Sequence, residues 1–210
     1  MIGTKILEER KSKYNGNLRV VKTFGMGTYI QSEGLTQSGG IVETIWKQTV
    51  NGLKVKEQKI SKILVLGLGG GTVAKILKKK YKRAKITGVE VDPIMVELGK
   101  KYLDLEKSGV DIKVTDAKKF LTKKLSSMSK YDLVIVDLYN GDVFPKEFEE
   151  EKYINNIKNV LNDGGTVIFN RLYFGDKRPE SVKFGKVLEK TFLEVDWFYP
   201  EANLMFICTI

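Results

Sequence analysis

The residues most able to do chemistry sit around one turn, "KILVLGLGGGTVAKIL" at 62–77. An apolar run meets a glycine cluster that leads straight into a helical pattern. Gly67, Gly69, Gly70 and Gly71 at such a turn permit positive φ and let a ligand approach the backbone. Glu90 ends the next apolar segment, about twenty residues on, where an acid commonly holds ribose hydroxyls. Asp116, followed by Ala117, comes just after a third segment, and Asp137 directly follows the apolar "LVIV" of a fourth. A glycine loop and three carboxylates at successive segment ends point to a nucleoside site. Asp116 serves equally well as a helix cap on its own. A nicotinamide dinucleotide fits less well, because Thr72 stands at the third glycine position of G-x-G-x-x-G.

The elements that must position these residues alternate. Strand patterns at "KILVLGL", "AKITGVEV", "VDIKVTD", "YDLVIVDLY" and "TVIFNRL" are separated by the helical "GTVAKILKKKY", "DPIMVELGKKYL", "AKKFLTKKL" and "KEFEEEKYINNIKNVL", the last closed by "NDGG". Asp92 is an N-cap candidate with Pro93 at the first helical position. A fifth helix opens on Pro179, and "EVDWFY" and "NLMFICTI" follow with only "PEA" between them, too short for a parallel crossover. The expectation is an α/β fold: a doubly wound, mostly parallel, Rossmann-like sheet that ends in an antiparallel β-hairpin. Residues 1–58 read as a small β-rich arm, with strands at "NLRVVKTF" and "GTYIQSEG" and a helix at "GGIVETIWKQTV", and 59–210 as the nucleoside-binding domain.

Composition narrows the chemistry. Histidine is absent, so any general base is a carboxylate, tyrosine or lysine, and no histidine metal site exists; no metal is expected. Cys208 is the one cysteine, in an apolar segment, and reads as a core residue. Trp46 and Trp197 read as packing or interface residues. No apolar run reaches membrane-spanning length and no signal-peptide core is seen, so a cytoplasmic protein without a membrane partner is expected. The net charge of +10 gathers at "KKKYKRAK" and "KKFLTKK". Nucleic acid is a partner to weigh, and a solvated lysine surface is the favoured reading. A homodimer through the arm is the default oligomer.

These motifs together resemble the spermidine synthase family, which has the class I methyltransferase fold. "ILVLGLGGGTVAKILKK" resembles its V-L-x-I-G-G-G-D-G-G loop, "ITGVEVDPIMVELGKKYL" its V-E-I-D-P motif, and "YDLVIVDLYNGD" its Y-D-V-I-I-x-D-S-S-D-P segment. The resemblance implies that Glu90 binds ribose, that Asp116 lies beside adenine, that Gln37 approaches the active site from the arm, and that Asp137 takes a proton from an attacking amine. Tyr139 would shape the pocket or lie against a cationic sulfur. Three positions depart from the pattern: Gly70 and Asn140 stand for acids and Ile41 for a tyrosine. Asp142, Glu147 and Glu149 are nearby acids able to compensate. A small nucleophilic substrate and a sulfonium nucleoside are implied. Methyl transfer from S-adenosylmethionine is the first reading, because diamine-specific residues are replaced. Aminopropyl transfer from decarboxylated S-adenosylmethionine is the alternative, and a non-catalytic nucleoside- or RNA-binding scaffold is the third.

Overall fold

The computed structural model describes residues 3–53, 60–127 and 130–210. Among these, eleven strands form two sheets. The first four, β1 (Thr4–Ser12), β2 (Gly16–Thr23), β3 (Gly27–Ser32) and β4 (Leu35–Gly39), make an antiparallel meander at the N-terminus. The sequence showed β2 and β3. It did not show β1, whose charged "LEERKS" stretch lacks an apolar face, or β4, whose "LTQSG" is short and polar. Helix α1 (Gly40–Gly52) then leads toward the second sheet. The boundary expected between 58 and 59 lies outside the described residues.

The second sheet holds β5 (Lys62–Leu66), β6 (Lys85–Glu90), β7 (Asp111–Val114), β8 (Tyr131–Val136), β9 (Leu161–Leu172), β10 (Glu194–Phe198) and β11 (Asn203–Thr209). Its spatial order is β10-β11-β9-β8-β5-β6-β7. The pairs β5–β6, β6–β7, β5–β8 and β8–β9 are parallel, while β9–β11 and β10–β11 are antiparallel. This is the doubly wound sheet with a terminal hairpin. Strand order reverses between β5 and β8, so their carboxyl ends open the crevice where such sheets bind ligands.

Alternation along β5 shows why its apolar run is continuous. Leu64 and Leu66 join one core with Phe120, Ile154, Phe184 and Leu188, whereas Ile63 and Val65 join another with Trp46, Val50, Ala74 and Leu77. Thus α4 (Ala117–Ser126), α5 (Glu151–Asn159) and α6 (Lys177–Thr191) cover one face, and α1 with α2 (Thr72–Lys80) the other. Helix α3 (Pro93–Tyr102) packs Met95 and Leu98 onto Leu18, Val20 and Ile30 of the arm.

Two sequence boundaries shift. The helix expected from Lys146 is a 3-10 turn (Lys146–Phe148) followed by α5, and the "NDGG" expected to close it lies within β9. Helix α6 begins at Lys177, so Pro179 sits in its first turn, where a missing N–H costs nothing. No described helix is long and apolar enough to cross a membrane.

Polar contacts fasten the arm to the domain. Asp92, fully buried, caps α3 by accepting from the Ile94 N–H at 2.9 Å. Its other oxygen accepts from Ser12 Oγ at 2.5 Å and from Asn15 Nδ2 at 2.7 Å. At the surface, Glu8 accepts from Lys101 Nζ at 2.6 Å and from the Tyr102 hydroxyl at 2.7 Å, and Lys101 chiefly holds its carboxyl down at about 2.

Candidate active site

A cleft of about 420 Å3 opens at the carboxyl edge of β5, β6 and β8, roofed by β4 and α1 of the arm. Asp137 forms part of its floor. The Asp137 N–H donates to Leu66 O at 2.9 Å, which continues the β5–β8 ladder one residue past the strand and turns the side chain to the rim. Oδ1 accepts from Asn170 Nδ2 at 2.7 Å and Oδ2 from Trp46 Nε1 at 3.1 Å. Asn203 Nδ2 donates to Asn170 Oδ1 at 2.8 Å, so the Asn170 oxygen is occupied and its amide nitrogen faces the carboxylate. Burial pushes the Asp137 carboxyl up to about 6, against the pull of these two donors. It is the protonation range of a working base.

The glycine loop divides into positions that serve packing and one that serves the cleft. A Cβ on Gly67 would lie 1.9 Å from the Asp137 carbonyl oxygen, and one on Gly71 would lie 2.3 Å from Leu105 Cδ1. Gly67 still borders the cleft, whereas Gly71, expected as a ligand contact, packs against Leu105 at the start of α2 and does not line it. Gly69 has φ of 55° and open surroundings: a Cβ there would meet nothing nearer than Gln37 O at 3.6 Å. Its N–H donates to Glu90 Oε2 at 2.8 Å, and the Asp92 N–H donates to Glu90 Oε1 at 3.0 Å. Glu90 is buried, and burial raises its carboxyl above the ordinary range despite these bonds. The Val91 N–H also favours the ionised carboxylate, and the two oxygens together still have acceptor capacity beyond these backbone donors. Asp116 does cap α4, its Oδ1 accepting from the Lys119 N–H at 2.9 Å, and with Ala117 it also lines the cleft.

Beyond Asp137 the wall changes character. Tyr139 lines the cleft, but its hydroxyl accepts from the Leu172 N–H at 2.7 Å and donates to Asn170 O at 3.4 Å. Burial drives its pKa up, so it ties the loop to β9 rather than trading protons. Gln37 Nε2 donates to Gly141 O at 3.1 Å, joining the arm to this loop. Of the three acids available to compensate, Glu149 pairs with buried Arg171 and Asp142 with Lys177; Glu147 lines the cleft. Arg171 also lies over the Phe144 ring at 4.3 Å. Ile41, Val42, Ile45, Leu172 and Phe174 supply apolar lining.

The departure at Gly70 has a packing cause. A Cβ there would come within 2.8 Å of Leu103 Cδ1 and 3.0 Å of Ile30 Cδ1, pointing into the arm–α3 core. Gly99 of α3 lies so near that its own Cβ would sit 2.7 Å from Gly70 Cα. Trp46, read as packing, is a donor to Asp137 as well as a core residue. Asn170 and Asn203 were missed. Asn170 carried the same signal as Asp137, a polar residue ending an apolar run; Trp46 carried none, since its helical pattern reads as core.

A family model, described as the spermine/spermidine synthase domain, matches residues 43–192. The polyamine aminopropyltransferase of Vibrio vulnificus is 26% identical over 113 residues, covering 53% of this chain and 38% of that protein. This chain spans from 24% to 57% of the length of the first curated relatives it matches. Spermidine synthase from Thermotoga maritima superposes with a TM-score of 0.76 at 16% identity, covering 98% of this chain and 72% of that one. Human methyltransferase-like protein 13 in complex with SAH gives a TM-score of 0.66 at 19% identity, covering 81% of each chain. At these identities the two structures show the fold alone.

Proposed function

Because this chain belongs to the spermine/spermidine synthase domain family, we propose that it transfers an alkyl group from a sulfonium nucleoside to an amine. One observation carries the reading: Asp137, with its carboxyl near 6, lines the same cleft as Gly69 and Glu90. The donor set fits S-adenosylmethionine or its decarboxylated form. The open face of Gly69 admits a ligand to the backbone, Glu90 keeps acceptor sites for ribose hydroxyls, and Asp116 and Ala117 border the space for a base.

When bound, the sulfonium nucleoside supplies an electrophilic carbon whose bond to sulfur breaks as the bond to nitrogen forms. Asp137 orients the amine and takes the proton that nitrogen sheds. Trp46 and Asn170 hold the carboxylate in place, so little reorganisation is needed at the moment of reaction. The apolar walls exclude water from the attacking nitrogen.

The aminopropyl form is supported first, by the family and by the Vibrio relative, a polyamine aminopropyltransferase. Methyl transfer is the second form. Gly70 favours it, because the position where an acid would serve a cationic substrate is packed against Leu103. The test is incubation with each donor and a panel of amines, read by mass spectrometry of the products. Transfer that disappears in Asp137→Asn is the expected result. Absence of transfer from either donor, with donor binding intact by calorimetry, overturns the reading.

A further inference from the structure

We propose that Asn203 is a positioning residue for Asp137, which rests on the reading of Asp137 as the base. Acting through Asn170, it sets which end of the Asn170 amide meets the carboxyl, and so how readily Asp137 takes a proton. An ionised carboxylate only accepts hydrogen bonds, so the Asn170 atom 2.7 Å from Oδ1 is its nitrogen. The Asn170 oxygen then points away and needs a donor, which Asn203 Nδ2 supplies at 2.8 Å. Both asparagines are buried, each 6% exposed, where an unmet amide atom is costly. If the Asn170 amide turned over, its oxygen would face the carboxyl. Two acceptors that close tolerate each other only with a proton between them, so the reversed amide favours protonated Asp137.

Sheet register brings the two amides together. Asn170 on β9 lies opposite Met205 on β11, and Asn203 stands two residues from Met205 on the same strand. Side chains two apart share a face, so both asparagines point to the side that α1 covers. Trp46 packs on that side with Ile168 and Met205. The turn that carries Asn203 is held by its own backbone. The Asn203 N–H donates to Pro200 O at 3.0 Å, and the Tyr173 N–H donates to Ala202 O at 2.8 Å. The terminal hairpin thus does more than close the sheet: it delivers the outer donor.

The charged groups around Asp137 act by another route. Arg171, on the opposite face of β9, stacks on Phe144 and pairs with Glu149. On α1, Glu43 pairs with Lys47 at 2.7 Å. After β8, Asp142 pairs with Lys177, and the Tyr139 hydroxyl is tied to the Leu172 N–H. Strand β5 presents Leu66 and Gly67 here, which carry no charge. Glu90, Asp116, Glu147 and Glu201 line the cleft, and their charge acts on Asp137 through space. Asn203 acts through one amide.

The experiment follows Asp137 by NMR of carboxyl-labelled aspartate, assigned with Asp137→Asn, so it needs no turnover. Asn203→Asp keeps the shape of the side chain but, once ionised, only accepts, which draws the Asn170 nitrogen away from Asp137. The Asp137 midpoint, about 6, should rise by roughly one pH unit, the scale of a lost hydrogen bond to a charge. In an Asn170→Leu background the same substitution should move the midpoint by no more than about half as much, because only the added charge remains. Equal shifts in both backgrounds, or no shift in either, overturn the inference. Should the variant not fold, the wild-type protein decides. Its Asn203 side-chain amide signal should titrate with the Asp137 midpoint, and a signal that does not move overturns the inference. A raised midpoint in a protein that alkylates no amine leaves the inference standing and overturns only the amine-alkylation reading.

Discussion

Trp46 donates its indole N–H to Asp137 across 91 residues of sequence, at 3.1 Å, so the arm-proximal helix helps set how tightly the base holds its proton. The bond favours the carboxylate; burial opposes it and leaves the group at about 6. Removing the donor must therefore raise the value further. Trp46→Phe, which keeps most of the bulk, should move the acid limb of kcat upward by about one pH unit, since a hydrogen bond to a charge is worth roughly 1.5 kcal/mol or more. A pH–rate profile with an unmoved limb would show that the indole only packs.

In the wild-type protein, the carboxylate is the active form, so kcat should fall as pH drops through about 6. Asp137→Asn should lower kcat by about 10²–10⁴-fold and remove the Asp137 limb. Donor affinity, measured by calorimetry, should change little by comparison, because the nucleoside contacts proposed above lie at Glu90 and the loop.

Glu90 carries a different load. Glu90→Gln keeps the shape but weakens the pairing with ribose hydroxyls, and donor binding should weaken by about 1.5–3 kcal/mol. Circular dichroism should show a folded chain. An affinity equal to wild type would remove Glu90 from the nucleoside site.

Two glycines of one loop should fail in different ways. Gly69→Val should abolish donor binding, because its side chain enters the cleft, with a modest thermal cost from its φ of 55°. Gly67→Ala should fail as a fold, since its Cβ would overlap the Asp137 carbonyl. Thermal melts and calorimetry on both variants separate the outcomes; normal binding by Gly69→Val would make the loop a tight turn only.

Restoring an acid at Gly70 should not restore a site. Gly70→Asp should destabilise the protein by about 1–3 kcal/mol through contact with Leu103 and Ile30. Leu103→Ala in the same chain should return part of that loss, which denaturant melts of the double variant would show.

The sheet was legible because its central strands β5, β8 and β9 are largely buried, and buried strands announce themselves as apolar runs such as Ile63–Leu66. Asp137 stood out for the same reason: a charge after the four apolar residues 133–136 has only the rim to occupy. Residues that act through tertiary contact left no such mark. Trp46 lies on a helix whose pattern serves the core, and its bond to Asp137 exists only once α1 is docked. Gly70 looked like a lost acid, while the cause lay in Gly99 and Leu103, about thirty residues downstream on an element packed against it. Strand β1 was hidden because the arm buries little of it, and β4 because its sequence is short and polar.

Asp137 takes its side-chain bonds from α1 and β9, with β11 behind them through Asn203, and its backbone bond from β5. None of these anchors belongs to the loop between Gly141 and Glu149, which lines the cleft through Gly141, Pro145, Glu147 and Phe148. The surroundings of Asp137 and this stretch of cleft wall are thus modular: the loop is a cassette that mutation or design can rewrite while Asp137 keeps its tuning.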